Sequence, residues 1–418
     1  MSPGGRARAG GSASGGATRG RSGVPAWRRD AVWQAGFLVG SALGAAITVL
    51  GRRAERSART GLVDWPAAER VAAARLQRAP GALPVAELRA TEPEYLAAME
   101  RIVPALSAAL GTELPGVVER VAVVDRAGWV HENVAGFMTL MGRLEGQLLD
   151  QVMPAGGGLG KATMAIANRF LTTRQIGFLL GFMALRVLGQ YDLALLAAEE
   201  DPGRLLFVEE NVRQTARHLD VPLGPFRTWI ALHETTHAFE FEAHPWLRPY
   251  LAERLERQLT AFSEDVSLLS RDAVRRLGRA LRGDGEGLHW IERIMSEEQR
   301  RLFRETQSVM SLLEGFSDWV MDEVGRDLVP GVETISARFH ERRERRTAFE
   351  RAILRLTGMD LKMEQYRRGE RFVAALARDG GPEALRRLWA GPESLPREHE
   401  IDDPAAWLGR VMGAERPA

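Results

Sequence analysis

The sequence predicts a mainly α-helical protein with few short strands, preceded by a hydrophobic N-terminal helix. Three observations lead there. From Leu62 onward, apolar residues recur at helical spacing along almost the whole chain. Convincing strand compositions are few, and "RLLFVEENV", residues 204–212, is one of them. Ahead of both lies "AVWQAGFLVGSALGAAITVLG", residues 31–51, a run of 21 positions without a charge.

In chain order, residues 1–29 are mostly Gly, Ala, Ser and Arg, a composition that predicts a disordered tail. The 31–51 run is about long enough to cross a hydrocarbon core of roughly 30 Å. Gly36, Gly40 and Gly44 would give it a smooth face, and Trp33, Arg52 and Arg53 are plausible interfacial anchors. It is therefore expected to tether an otherwise cytoplasmic protein to a membrane, and residues 60–418 form the functional domain. Within that domain "DWPAAERVAAARL" opens a helix, with Asp64 as N-cap and Pro66 in the first turn. "PAGGGLGK", 154–161, lacks P-loop spacing, and no strand pattern leads into it. "RQIGFLLGFMALRVLGQYDLALLAA", 174–198, reads as a core helix rather than a second span, because Arg186 and several glycines interrupt it. Thr228 to Phe241 reads as one helix, and a helical hairpin is expected at roughly 250–305. "RGDGEG", 282–287, is a surface turn and "HERRERR", 340–346, a solvated helix face.

Composition removes several functions. At 45% hydrophobic and 27% charged residues the chain is globular. A net charge of +1 gives no overall field for nucleic acid. The absence of cysteine excludes disulfides, thiolate metal sites and a cysteine nucleophile.

The chemistry is concentrated in "TWIALHETTHAFEFEAHPW", 228–246, which holds His233, Glu234 and His237 as H-E-x-x-H. Residues four apart share a helix face, so the two imidazoles converge with Glu234 beside them. Neutral imidazoles one turn apart can span one edge of a tetrahedral zinc site. Glu234 is then placed to take the proton of the attacking water rather than to bind the metal. His244 cannot supply the third ligand, since it would lie about 10 Å further along a continuing helix. Glu314, in "MSLLEGFSDWVMDEVG", 310–325, is the better candidate. With Asp318 four positions on, it is similar to the E-x-x-S-D arrangement of gluzincin metalloproteases. There the Glu binds zinc and the Asp holds a histidine ligand through its other ring nitrogen. Leu312, Leu313, Phe316, Trp319, Val320 and Met321 surround the pair, and a metal would offset the cost of burying two carboxylates among them.

The segments "VVDRAGWVHENVAGF", "RVLGQYDLALL", "FRTWIALHETTHAFEF", "PWLRPYL", "LLEGFSDWVMD", "LVPGVETISARFHERR", "LKMEQYRRGERFV" and "DPAAWLGRV" together make a specific pattern. From about Asp64 to the C-terminus the chain resembles a family of zincin-type hydrolases associated with deazaflavin-coenzyme biosynthesis. The resemblance implies a zincin-like, mostly helical fold and metalloprotease activity, with His233, His237 and Glu314 holding Zn2+ and Glu234 as base. It names no substrate. Phe316–Ser317 departs from the family pattern, where His–Ala is common, and this alters the surroundings of the ligands without removing one.

Tyr366, one of four tyrosines, lies in a family-like segment and is the candidate donor to the oxyanion. His340 is a weaker one, and Arg338 and Arg342 could bind a substrate carboxylate. His131, His218, His289 and His399 have no partner pattern. The function expected is zinc-dependent hydrolysis of a peptide, with a small amide of a cofactor precursor as the alternative substrate. A metal-stabilised binding scaffold without turnover is the competing class, and the presence of Glu234 argues against it.

Overall fold

The computed structural model describes residues 61–152, 159–191, 203–267, 295–344 and 361–413. The chain divides into Met1–Arg56 and Ser57–Ala418, and every described residue belongs to the second unit. The expected tail, the 31–51 run, the 282–287 turn and His289 lie outside the described residues. Among the described residues no helix is long and apolar enough to cross a membrane.

The domain is mainly helical, as its periodicity requires. Helix α1 (Trp65–Leu76) starts where Asp64 accepts the amide of Ala67 at 3.0 Å, with Pro66 in the first turn. Helix α2 (Val85–Leu110) ends on Gly111 in the left-handed region at φ 68°. Strand β1 (Val121–Val124) follows, then α3 (Arg126–Val152) and α4 (Leu159–Ala184). The 174–198 segment is thus not one core helix. Its helix stops at Ala184, strand β2 (Gly189–Tyr191) follows, and residues 192–202 lie outside the described residues. Periodicity alone cannot separate a short buried strand from a continuing apolar helix.

Strand β3 (Leu205–Val208) is shorter than its composition suggested, because α5 (Glu209–Leu219) begins at once. It is the middle strand of three, parallel to β1 and antiparallel to β2. All four of its residues are buried, since both faces of the sheet are covered. Leu205 and Phe207 face the main core with Tyr95 and Trp229, while Leu206 and Val208 face a second cluster with Trp129 and Leu180. That two-sided burial explains an uninterrupted "LLFV".

Helix α6 (Leu223–Glu242) carries the H-E-x-x-H residues, and α7 (Leu247–Ser267) falls in the range of the expected hairpin, most of whose remainder, 268–294, lies outside the described residues. Helix α8 (Glu297–Glu323) starts with a capping box: Ser296 accepts the Gln299 amide and Gln299 accepts the Ser296 amide. A short α9 (Gly325–Leu328), α10 (Val332–Glu344), α11 (Leu361–Leu388) and α12 (Pro404–Val411) complete the domain.

A buried ionic cluster ties α2 and α5 to the start of α6. Glu209 is wholly buried. Its carboxylate accepts Arg213 Nε at 2.6 Å, the Tyr95 hydroxyl at 2.9 Å, and two donors of the buried Arg227. Burial first, and then the Glu209 charge, hold the Tyr95 hydroxyl well above its ordinary pKa, so it remains a donor. Removing one member of such a cluster strands the other charge. Glu209→Gln should therefore lower unfolding stability by about 3–5 kcal/mol. A urea titration checks this, and a loss below about 1 kcal/mol would mean that the cluster does not hold these helices together.

Candidate metal centre

Helix α6 is packed on nearly every side. Trp229, Ile230, Leu232, Phe239 and Phe241 are buried, and the buried hydroxyls of Thr235 and Thr236 bond back to the carbonyls of Ala231 and Leu232. The imidazoles of His233 and His237 keep a small opening, each about one-sixth exposed. Their Nε2 atoms lie 3.2 Å apart, with the rings at 81°. Glu314 Oε2, on α8, is 3.7 Å from His233 Nε2, and the three ligand atoms all fall within 4.8 Å of one another. The edge of a tetrahedral zinc site with bonds of about 2.0–2.1 Å is roughly 3.3 Å, so this donor set fits such an ion.

The far sides of both rings are held. His237 Nδ1 donates to Glu240 Oε2 at 2.7 Å and lies 3.3 Å from Ser317 Oγ, which leaves its Nε2 turned to the ligand cluster. His233 Nδ1 lies 3.0 Å from Met321 Sδ. Of the two departures from the family pattern, Ser317 thus borders a ligand, whereas Phe316 packs against Trp319 and Trp389.

Glu314 owes its position to a close helix crossing. A Cβ at Gly315 would lie 2.2 Å from the carbonyl carbon of Gly369 on α11, and one at Gly369 only 1.9 Å from the Ser311 carbonyl oxygen. No side chain fits between these backbones, so the crossing sets the height of the ligand on α8. Glu234 is placed by β2. Its Oε2 accepts the Tyr191 amide at 3.0 Å, and its Cγ would be 2.6 Å from a Cβ at Gly189. The strand is pinned in turn. The Tyr191 hydroxyl donates to Glu242 at 2.8 Å, Arg120 grips the same carboxylate with two donors, and Trp129 Nε1 donates to Gln190 at 2.7 Å.

The local charge is negative. Burial raises the Glu234 pKa to about 7, with Glu314 adding to it, and burial likewise raises Glu240 to about 7. Burial lowers the pKa of His237, but Glu240, then Glu314 and Glu234, outweigh it and bring the imidazole up to about 10. A proton on His237 partly balances the carboxylates where a cation would otherwise do so.

Four of the residues expected from the sequence thus meet here: His233, Glu234, His237 and Glu314. Asp318 follows Glu314 by one turn on α8 and is half-buried. Tyr366 is on α11, one turn before Gly369, and its side chain lies outside the described residues. His244 falls beyond the end of α6, with Nδ1 at 2.8 Å from the Glu240 carbonyl and its ring stacked on Trp389. Two expectations for α10 need correction. Arg338 donates to the backbone oxygens of Leu219 and Asp220, and Arg342 to Thr215, so both fasten α10 to α5 instead of facing the ligands. His340 lies 3.4 Å from Ser336 on its own helix. His131, His218 and His399 are exposed. Glu240 was missed, although its place three residues after His237 was a readable signal. The roles of Gly189, Gly315 and Gly369 depend on contacts distant in sequence.

Comparison with known proteins shows the family and a structural neighbour. A family described as zincin-like metallopeptidase matches residues 63–408. A solved structure from Chloroflexus aurantiacus, described as "a putative hydrolase with a novel fold", is 32% identical and superposes with a TM-score of 0.62. The match covers 85% of this chain and 100% of that one. No curated protein matches.

Two outcomes follow for metal binding. Below a pKa of about 10 the metal-free His237 carries a proton that a metal must displace. Zinc binding at pH 7 should therefore release at least about one proton per ion, read by calorimetry in buffers of different ionisation enthalpy. Zero release would contradict the charge state assigned to His237. Gly369→Ala should force α11 away from α8 and weaken zinc binding about tenfold or more, measured by competition with a chelator. Unchanged affinity would show that the crossing does not position Glu314.

Proposed function

Because the chain belongs to the zincin-like metallopeptidase family, we propose that it hydrolyses peptide bonds at a zinc ion held by His233, His237 and Glu314, with Glu234 as general base. One observation carries this reading: three ligand atoms within 4.8 Å of one another, with a buried carboxylate adjoining them. The hydrolase description of the Chloroflexus neighbour supports the reaction class. A divalent ion in this place polarises a carbonyl and makes water more acidic.

The chain's own residues do the rest. The Tyr191 amide holds Glu234 Oε2, which leaves Oε1 to accept the proton of the attacking water. Buried beside the ligand cluster, Glu234 takes that proton and hands it to the departing amine. Glu240 fixes the ring of His237, and Asp318 is assigned the steadying of the ligand set from α8. Tyr366 is the proposed donor to the oxyanion. The substrate is a peptide, and residues 31–51 tether the domain to a membrane.

Glu234→Gln should keep its zinc and lose hydrolysis of a peptide library by about 100-fold or more. Equal activity would remove Glu234 from the mechanism, and turnover of small amides alone would reassign the substrate class. Gly189→Ala, whose methyl would collide with Glu234, should lower kcat while leaving zinc content intact. A wild-type kcat would show that β2 does not hold the base in place.

A further inference from the structure

A cleft of about 1130 Å³ lies among α1, α4 and α5 and shares no residue with the metal centre. Among the described residues, seven arginines line it against one carboxylate, Asp64. Arg70 and Arg75 come from α1, Arg78 from just beyond it, and Arg169 and Arg174 from α4. Arg186 follows α4, and Arg342 comes from α10. Asp64 cannot neutralise this wall: it already caps α1 and lies 3.7 Å from Arg169. Aromatic faces hold three of the guanidinium groups, Arg75 at 4.8 Å over Phe178, Arg174 at 5.5 Å over Phe170 and Arg186 at 3.6 Å over Phe182. The Arg75 Nε is buried and has no hydrogen-bond partner.

Gathering like charges around a cleft is unfavourable unless an anion joins them. Arginine in particular presents a planar fork that matches phosphate oxygens two at a time. The cleft is far larger than a phosphate ion needs, and Ile166 and Phe170 on its wall are exposed apolar surface for an organic portion. From these features we propose that the cleft binds an organic anion through one or more phosphate groups, separately from hydrolysis at the metal centre. The phosphate could belong to a soluble metabolite or to a lipid headgroup, and the recognition chemistry is the same for both.

The test uses the full chain with inorganic pyrophosphate, followed by calorimetry at low salt and at about 0.15 M salt. Saturable binding that weakens with salt is expected. The R70Q/R174Q variant changes two exposed arginines and should keep the thermal midpoint and zinc content while weakening binding about tenfold or more. R75Q should act in the same direction, and R378Q, on exposed α11 surface, should change nothing. In a parallel arm, sedimentation with phosphatidylglycerol vesicles is compared with phosphatidylcholine vesicles. A preference for phosphatidylglycerol that R70Q/R174Q removes assigns the phosphate to a lipid, and a loss confined to pyrophosphate assigns it to a soluble ligand. Failure to bind either probe overturns the proposal, as does binding that survives both R70Q/R174Q and R75Q.

Discussion

A carboxylate on α8 has to reach within ligand distance of two imidazoles on α6, and the register between these helices is the constraint that the domain serves. The helices cannot set it alone, because apolar packing is non-directional and tolerates sliding. The register comes from places where no sliding is possible. Gly315 and Gly369 bring α8 and α11 to backbone contact, and a shift along either helix would drive a side chain into that contact. On the other side, α6 is buried around most of its circumference, with β2 tied to Glu234 through one amide and to Glu242 through one hydroxyl. The ligand cluster therefore lies between two elements that are each held from behind.

The same economy governs the buried charges. Glu209 and Arg227 lie under the core yet satisfy each other, with Tyr95 and Arg213 filling the remaining positions. The metal centre is different in kind. Glu240 has one oxygen on His237 and its other, Oε1, buried without a hydrogen bond. An unsatisfied buried carboxylate oxygen is costly where only stability matters. Beside the ligand His237 it adds negative potential, which favours a cation and resists loss of one.

The legible part of this protein was whatever is local along the chain. H-E-x-x-H states its own geometry, because residues four apart on a helix must share a face. Asp64, Pro66 and the helical spacing after Leu62 likewise read correctly, since caps and periodicity act within one turn. The reading failed where a neighbour distant in sequence decides. Residues 174–198 look like one apolar helix, but the turn to β2 depends on pairing with β3. Arg338 and Arg342 looked available to a substrate because nothing in "SARFHERR" reveals that Leu219, Asp220 and Thr215 lie opposite. Glu314 is legible across a long separation because it forms an E-x-x-S-D arrangement with Asp318 one turn on, in a helix whose core residues make a carboxylate pair anomalous.

A net charge of +1 suggests a molecule without strong fields, and the fold shows why that inference is unsafe. Carboxylates collect around His237, while arginines collect between α1 and α4. Cancellation in the sum says nothing about cancellation in space, because screening in salt confines each field to about 8–10 Å. Two regions of opposite sign can thus act independently on one domain. One concentrates cations at a site with nitrogen and oxygen donors, and the other concentrates anions at forks that donate only. Separating them matters chemically, for a phosphate close to the ligand cluster would compete with the protein for the metal. Among the described residues, the two regions share none.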